Sequence, residues 1–267
     1  MNRIDAKFRA LRAINTKAFV AYISAGDPHL KGTAQLAREF ERVGVDVLEL
    51  GVPFSDPLAD GVVNQVAAER ALRSGTNLTG VLQTVAQLRR TGCQIPIVFY
   101  IYFNLIHRHG VNEFARDAAA AGVDGVLTLD LPPEESAVCD RALLDAGIHP
   151  IYLIAPTTPK PRLAQIAAQA RGFIYYVSRT GVTGMQTSVS DSIRPMVKEI
   201  RRHTSVPVAV GFGISSPAQA AEVAGMADGV VVGSAIVNKI AALGKDPKMA
   251  GKVARFVAPM VKAVKSP

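Results

Sequence analysis

The amino-acid sequence predicts an α/β protein, a single closed (β/α)8 barrel of the TIM type with an extra N-terminal helix. Three observations carry that prediction. Short apolar runs rich in Val, Ile, Tyr and Phe alternate with longer stretches of helical period, eight times along the chain. The apolar runs are continuous rather than alternating, as in parallel strands covered on both faces. The 267 residues, 49% of them hydrophobic and 19% charged, match the length and core material that one such barrel needs.

The first segment places Ile4, Phe8, Leu11 and Ile14 at helical spacing, so it reads as an amphipathic helix before the first strand. Strand patterns follow at 19–24, 45–50, 97–102, 125–129, 150–154, 173–178, 208–210 and 229–232. Helical pattern fills 33–43, 63–73 with 78–90, 111–121, 134–146, 160–170, 191–202 and 217–224, and it resumes after the last strand. Strands separated by helices pair in parallel through right-handed crossovers. A doubly wound open sheet satisfies the same alternation. The count of eight, and the lack of a dinucleotide glycine pattern after the first strand, favour closure. Segments 121–126 and 227–231 repeat a Gly-containing approach to a strand. No linker interrupts the pattern, so residues 1–267 read as one domain.

Composition excludes several classes. The formal charge is +8, but the basic residues are dispersed. The tail carries Lys239, Lys245, Lys248, Lys252, Arg255, Lys262 and Lys265 without interleaved aromatic platforms, which reads as a solvated helical face rather than a nucleic-acid surface. No apolar run reaches the roughly 18 residues of a membrane span. The first eight residues lack the apolar core of a signal peptide. Cys93 and Cys139 are isolated from one another, as expected of free thiols in a reducing, cytoplasmic setting.

In this fold the active site lies at the C-terminal ends of the strands. That rule selects Glu49, Gly51, Tyr102, Asn104, Asp130, Pro156, Thr157, the loop 179–184, residues 211–213, Gly233 and Ser234. Glu49 shares a strand face with Val45 and Val47. A carboxylate there is costly unless paired or neutral, so it is either held by an arginine or set up for acid/base chemistry. Asp60 ends the Pro-containing loop that follows. It is a second acid/base candidate, or the N-cap of the next helix. Asp56, between Ser55 and Pro57, has turn-holding as its simplest role. Glycines 181, 184, 211, 213 and 233 cluster after the last three strands, where backbone N–H groups and a helix N-terminus suit a phosphate. Tight strand exits are the alternative reading. Gly211-Phe212-Gly213 lacks the third glycine of a dinucleotide site. His107 and His109 have the wrong spacing for a metal on one helix face. No Lys stands at a strand end, which argues against a Schiff-base aldolase.

The run Glu49-Leu50-Gly51-Val52-Pro53-Phe54-Ser55-Asp56-Pro57-Leu58-Ala59-Asp60-Gly61 resembles the signature of the tryptophan synthase alpha chain family. Pro156–Pro159, the Ser178–Gly184 loop and Gly211-Phe212-Gly213-Ile214 resemble further blocks of that family in the same order, so the likeness spans nearly the whole chain. The resemblance implies a barrel that cleaves indole-3-glycerol phosphate to indole and glyceraldehyde 3-phosphate. It implies Glu49 as general acid/base and Asp60 as the carboxylate facing the indole N–H. Tyr22, Tyr100, Tyr102, Leu127, Leu153, Tyr175 and Phe212 would surround the substrate. Gly184, Gly213, Gly233 and Ser234 would hold its phosphate, while Thr183 would close a loop over the site and meet Asp60. Tyr22 and Tyr100 stand where the family more often has Phe and an aliphatic residue, and Val62-Val63-Asn64-Gln65 lacks a usual proline.

The resemblance further implies a beta subunit in an alpha2-beta2 heterotetramer that consumes the indole. It implies no cofactor in this chain, pyridoxal phosphate being confined to the beta subunit. Three other readings stay open at this level: a non-catalytic barrel that regulates a partner enzyme, a free-standing indole-3-glycerol-phosphate lyase, and another phosphosugar barrel enzyme.

Overall fold

Parallel pairing runs through every strand, and the sheet closes on itself. The computed structural model describes residues 1–177, 190–211 and 213–266, with only the backbone of 190–192. Among these residues are nine strands: β1 (Ala18–Ser24), β2 (Val47–Gly51), β3 (Ile97–Ile101), β4 (Gly125–Thr128), β5 (His149–Pro150), β6 (Tyr152–Ile154), β7 (Ile174–Val177), β8 (Val208–Gly211) and β9 (Gly229–Val232). Their order is β5-β4-β3-β2-β1-β9-β8-β7-β6.

β5 and β6 are two parts of the single run expected at 150–154. β5 pairs with β4 and β6 with β7, so this one stretch joins the two edges and completes an eight-strand barrel. The N–H groups of His149 and Ile151 both bond toward β4, to Asp124 and Val126. The Pro150 position therefore faces β7, where proline has no N–H to offer. Pairing with β7 starts only at Tyr152.

The helices are α1 (Arg3–Ala13), α2 (Leu30–Arg42), α3 (Val62–Arg73), α4 (Leu78–Arg90), α5 (Phe103–His109), α6 (Val111–Ala121), α7 (Ala137–Asp145), α8 (Lys160–Gln169), α9 (Ser190–Arg201), α10 (Pro217–Ala224), α11 (Ser234–Leu243) and α12 (Met249–Lys265). α2 starts three residues earlier than its apolar pattern because His29 caps it, Nδ1 accepting from the Gly32 N–H at 2.9 Å. α5 was hidden in the sequence. Its first N–H, from Phe103, is met by the Asp130 carboxylate at 2.6 Å, a partner contributed by the neighbouring strand exit.

Strand alternation divides the apolar residues into two layers. Phe19, Leu48, Phe99 and Tyr176 point outward, against Leu36, Phe40, Val85, Leu88 and Phe114 of the surrounding helices. Val20, Val47, Val98, Leu127, Ile151, Phe173, Ala209 and Val231 point inward and meet Ile4, Phe8 and Leu11 of α1. The extra helix therefore plugs the N-terminal end of the barrel, with the Phe8 and Phe173 rings 5.7 Å apart. Ile14 does not join that face: it follows the last turn of α1 and is 71% exposed.

Two buried acids lock the closed end. Asp46 accepts from the Phe19 N–H and from Lys265, while Asp124 accepts from the Ile97 N–H, Arg3 and Arg89. Both are fully engaged in structure. With the floor filled and tied, open space remains at the C-terminal ends of the strands.

Candidate active site

Glu49 lies one register step above Val47 on the inner face of β2 and is 1% exposed. Among the described residues its Oε1 has no hydrogen-bond partner. Burial, with the nearby Asp60 carboxylate in second place, pushes its pKa up from the ordinary 4.5 to about 8. No arginine offsets this among the described residues, so the salt-bridge reading of Glu49 is set aside. The raised pKa favours the neutral acid near pH 7.

Asp60 is held by side chains from two elements. Its Oδ1 accepts from the Tyr100 hydroxyl at 2.9 Å and from Asn64 Nδ2 at 3.4 Å, and its Oδ2 accepts from the Tyr102 hydroxyl at 2.9 Å. Tyr100 and Tyr102 are two residues apart at the end of β3, so both phenols emerge on one face. The Tyr102 oxygen also accepts from the Ala59 N–H at 2.9 Å, anchoring the loop beside Asp60. Burial raises the Asp60 pKa, while the two phenols and the amide pull it down; the net direction is upward. The helix-capping reading fails. The N-cap of α3 is Gly61, which has no side-chain cap bond.

Two glycines make room for the other phenols. A Cβ on Gly51 would lie 2.5 Å from the Tyr22 hydroxyl, and one on Gly211 would lie 2.6 Å from the Tyr175 hydroxyl. Part of the glycine pattern therefore serves aromatic packing rather than an anion. Tyr22 stands beside Glu49 in the β1–β2 register, and its ring meets that of Tyr100 edge-on at 5.0 Å. Burial raises the pKa of Tyr22, Tyr100 and Tyr175, so these phenols act as hydrogen-bond donors rather than anions.

Glu49, Tyr22, Tyr100 and Tyr175 open onto a cavity of about 140 Å³ whose wall also includes Gly211, Gly213, Gly233 and Ser234. Carboxyl group and strand-exit glycines thus share one space. Gly233 precedes α11, and the N-terminus of that helix adds a favourable dipole for an anion. Asp60 touches this cavity through Tyr100 and Asn64.

Leu127 is 1% exposed and belongs to the inner core, beside Tyr100 in register. The structure does not bring Leu153 to the cavity. It is 37% exposed and lines a separate recess of about 350 Å³ with Leu129, Asp130 and Arg162. Thr183, Gly184 and Phe212 lie outside the described residues.

Three wall residues escaped the sequence reading: Asn64, Val177 and Val231. Alternation from Tyr175 and Gly233 points to the two valines. Asn64 follows Asp60 by four residues, the spacing of neighbours on one helix face, but the turn before α3 obscured that relation.

A family model described as tryptophan synthase alpha chain matches residues 8–265. The chain belongs to the tryptophan synthase alpha chain family. It is 50% identical over 266 residues to the tryptophan synthase alpha chain of Opitutus terrae, covering 99% of this chain and 100% of that one. Identity to the Geobacter sulfurreducens alpha chain is 49% over 264 residues, 99% of each. The fold agrees as well. The tryptophan synthase alpha subunit of Legionella pneumophila superposes with a TM-score of 0.91 at 38% identity, covering 99% of this chain and 98% of that chain. A tryptophan synthase structure from Mycobacterium tuberculosis gives 0.89 at 33%, covering 100% and 99%. The alpha-chain family is a TIM-barrel lyase family, and the cavity lies at the barrel end where such enzymes work.

Proposed function

We propose that this chain cleaves indole-3-glycerol phosphate by a retro-aldol reaction, with Glu49 and Asp60 as its working carboxyl groups. The lyase activity follows from family membership. The residue roles are supported by one observation above all: a neutral buried acid and the strand-exit glycines line the same cavity.

The reaction starts with proton transfer from Glu49 to C3 of the indole. Positive charge then develops on the ring nitrogen, and the Asp60 carboxylate stabilises it. The Glu49 carboxylate takes the proton of the hydroxyl on the adjacent side-chain carbon. The bond from that carbon to C3 breaks, its electron pair restores the aromatic ring, and glyceraldehyde 3-phosphate leaves. Glu49 ends protonated, as it began. A pKa of about 8 suits both halves, because the proton is held at neutral pH yet is not costly to release. Gly213, just beyond β8, and Gly233 and Ser234, at the N-terminus of α11, receive the phosphate.

An alpha chain implies a beta-subunit partner. The expected assembly is an alpha2-beta2 heterotetramer in the cytoplasm, in which the indole passes to a pyridoxal-phosphate-dependent beta subunit. In this reading the alpha reaction itself uses no cofactor, and residues 1–267 act as one catalytic domain. The test is direct: incubate the purified chain with indole-3-glycerol phosphate, with and without a beta subunit, and measure indole. Release of indole that rises with the partner supports the reading. No release in either case refutes it.

A further inference from the structure

The proposal concerns Tyr100 and rests on the residue roles proposed above. Glu49 and Asp60 are two acids at one cavity, and no lysine or arginine acts on either among the described residues. Two carboxylates that share a site without a cation repel each other, so one of the pair is driven to hold a proton.

The hydrogen-bond donors around them are unequally shared. Glu49 Oε1 has no partner among the described residues, whereas Asp60 accepts from Tyr100, Tyr102 and Asn64. Burial raises the Asp60 pKa, and these three donors lower it. Tyr102 has a second task, because its oxygen also accepts from the Ala59 N–H. The Tyr100 hydroxyl, among the described residues, bonds Asp60 alone, at 2.9 Å. Asn64 Nδ2 is the more distant donor, at 3.4 Å.

The barrel aims Tyr100 at this carboxylate. It pairs in register with Gly51 on β2, and its ring meets that of Tyr22 edge-on at 5.0 Å. Tyr22 can lie there because Gly51 has no side chain: a Cβ would stand 2.5 Å from the Tyr22 hydroxyl. Gly51, Tyr22 and Tyr100 thus form a brace that ends on Asp60 Oδ1. The other titratable groups facing the two acids are phenols: Tyr22 from β1, Tyr102 from beyond β3 and Tyr175 from β7. Asp130 acts on Tyr102 from the β4 exit. From α3 and α11 come Asn64 at the cavity wall and Val63, Ala67 and Val237 against Tyr22, none of them charged.

We propose that Tyr100 is a positioning residue that assigns the one proton of the acid pair: Glu49 keeps it, and Asp60 carries the charge. Its hydroxyl stabilises the ionised form of Asp60 and fixes the carboxylate through Oδ1 before any ligand arrives. Asn64 supports it on the same oxygen. A side chain at position 100 without a hydroxyl leaves Asp60 competing with Glu49 for the proton.

The test follows that proton directly. Carboxyl-carbon NMR of the full chain without ligand tracks Glu49 and Asp60 from pH 4 to pH 9 in the unaltered protein, Tyr100→Phe and Asn64→Leu. Thermal transitions check that each variant folds. In the unaltered chain Asp60 should ionise at the lower pH and Glu49 at about 8. Tyr100→Phe should move the Asp60 step up by about one pH unit, and Asn64→Leu by less, while the Glu49 step stays in place. Turnover gives the second readout. The loss of kcat/KM for indole release in Tyr100→Phe should deepen about threefold from pH 7.5 to pH 5.5. A merely structural defect would cost the same factor at every pH. If Tyr100→Phe does not fold, Asn64→Leu decides by the direction of the Asp60 step. An unmoved Asp60 step in the folded variant overturns the assignment, as does an unaltered chain in which Asp60 keeps its proton to higher pH than Glu49. Carboxyl steps that move as expected in a chain that releases no indole are a different result: the assignment stands and the substrate reading falls.

Discussion

Replacing Glu49 with Gln should make the fold more stable, by an amount that grows with pH. The ordinary pKa of 4.5 applies to the unfolded chain, whereas burial and Asp60 raise it to about 8 in the fold. Below pH 4.5 both states hold the proton, and the group contributes no pH dependence. Between 4.5 and 8 the unfolded chain has released its proton while the fold retains it. Stability therefore falls with rising pH, by about 1.4 kcal/mol per unit. The loss reaches about 3 kcal/mol at pH 7 and about 5 kcal/mol above pH 8, where the fold too has ionised. Glutamine does not titrate. Urea unfolding of both proteins at pH 5, 7 and 9 should show a gap in stability that widens with pH, at constant m-value. Lyase turnover of the variant should meanwhile drop by about 10² to 10⁴, the usual contribution of a general acid/base. A gap that stays constant across pH would mean that Glu49 ionises as readily in the fold as outside it. The neutral-acid reasoning would then fail.

Other outcomes follow from the same geometry. The kcat/KM profile should be flat near pH 7 and fall above about 8, as Glu49 loses the proton it must donate. Tyr100→Phe and Tyr102→Phe should each raise the Asp60 pKa, read by carboxyl-carbon NMR titration, and lower turnover about tenfold, because each removes a donor to the charged form. Gly211→Ala should destabilise the fold by roughly 1–3 kcal/mol, since its Cβ would meet the Tyr175 hydroxyl at 2.6 Å; adding Tyr175→Phe should restore part of that loss in thermal melts. Arg70→Leu should destabilise by roughly 3 kcal/mol in urea unfolding, because it leaves the buried Asp27 carboxylate without its paired hydrogen bonds.

The barrel was readable from the chain because each strand and helix announces itself over a few residues. Strand runs carry Val and Ile, and helices carry their own apolar spacing. The buried position of Glu49 was readable for the same reason, since period-two alternation links it to Val47. What stayed hidden depends on partners distant in sequence. Pro150 divides a strand only because its missing N–H faces β7, and α5 starts where Asp130 receives its first N–H. Leu153 was expected beside the substrate, yet it lines another recess.

The amino-acid sequence by itself determined the repeating βα architecture, the extra amphipathic helix before the first strand and the placing of a carboxylate at the mouth of the barrel, because local periodicity decides which face of each element is buried. Only the tertiary structure decided that Asp60 is gripped by Tyr100, Tyr102 and Asn64 instead of capping a helix. It also decided that Gly51 and Gly211 make way for phenols, and that one oxygen each of Glu49 and Asn64 is left without a hydrogen-bond partner among the described residues. Those outcomes turn on contacts between strand ends far apart along the chain, and closing the barrel is what brings them within a few ångströms.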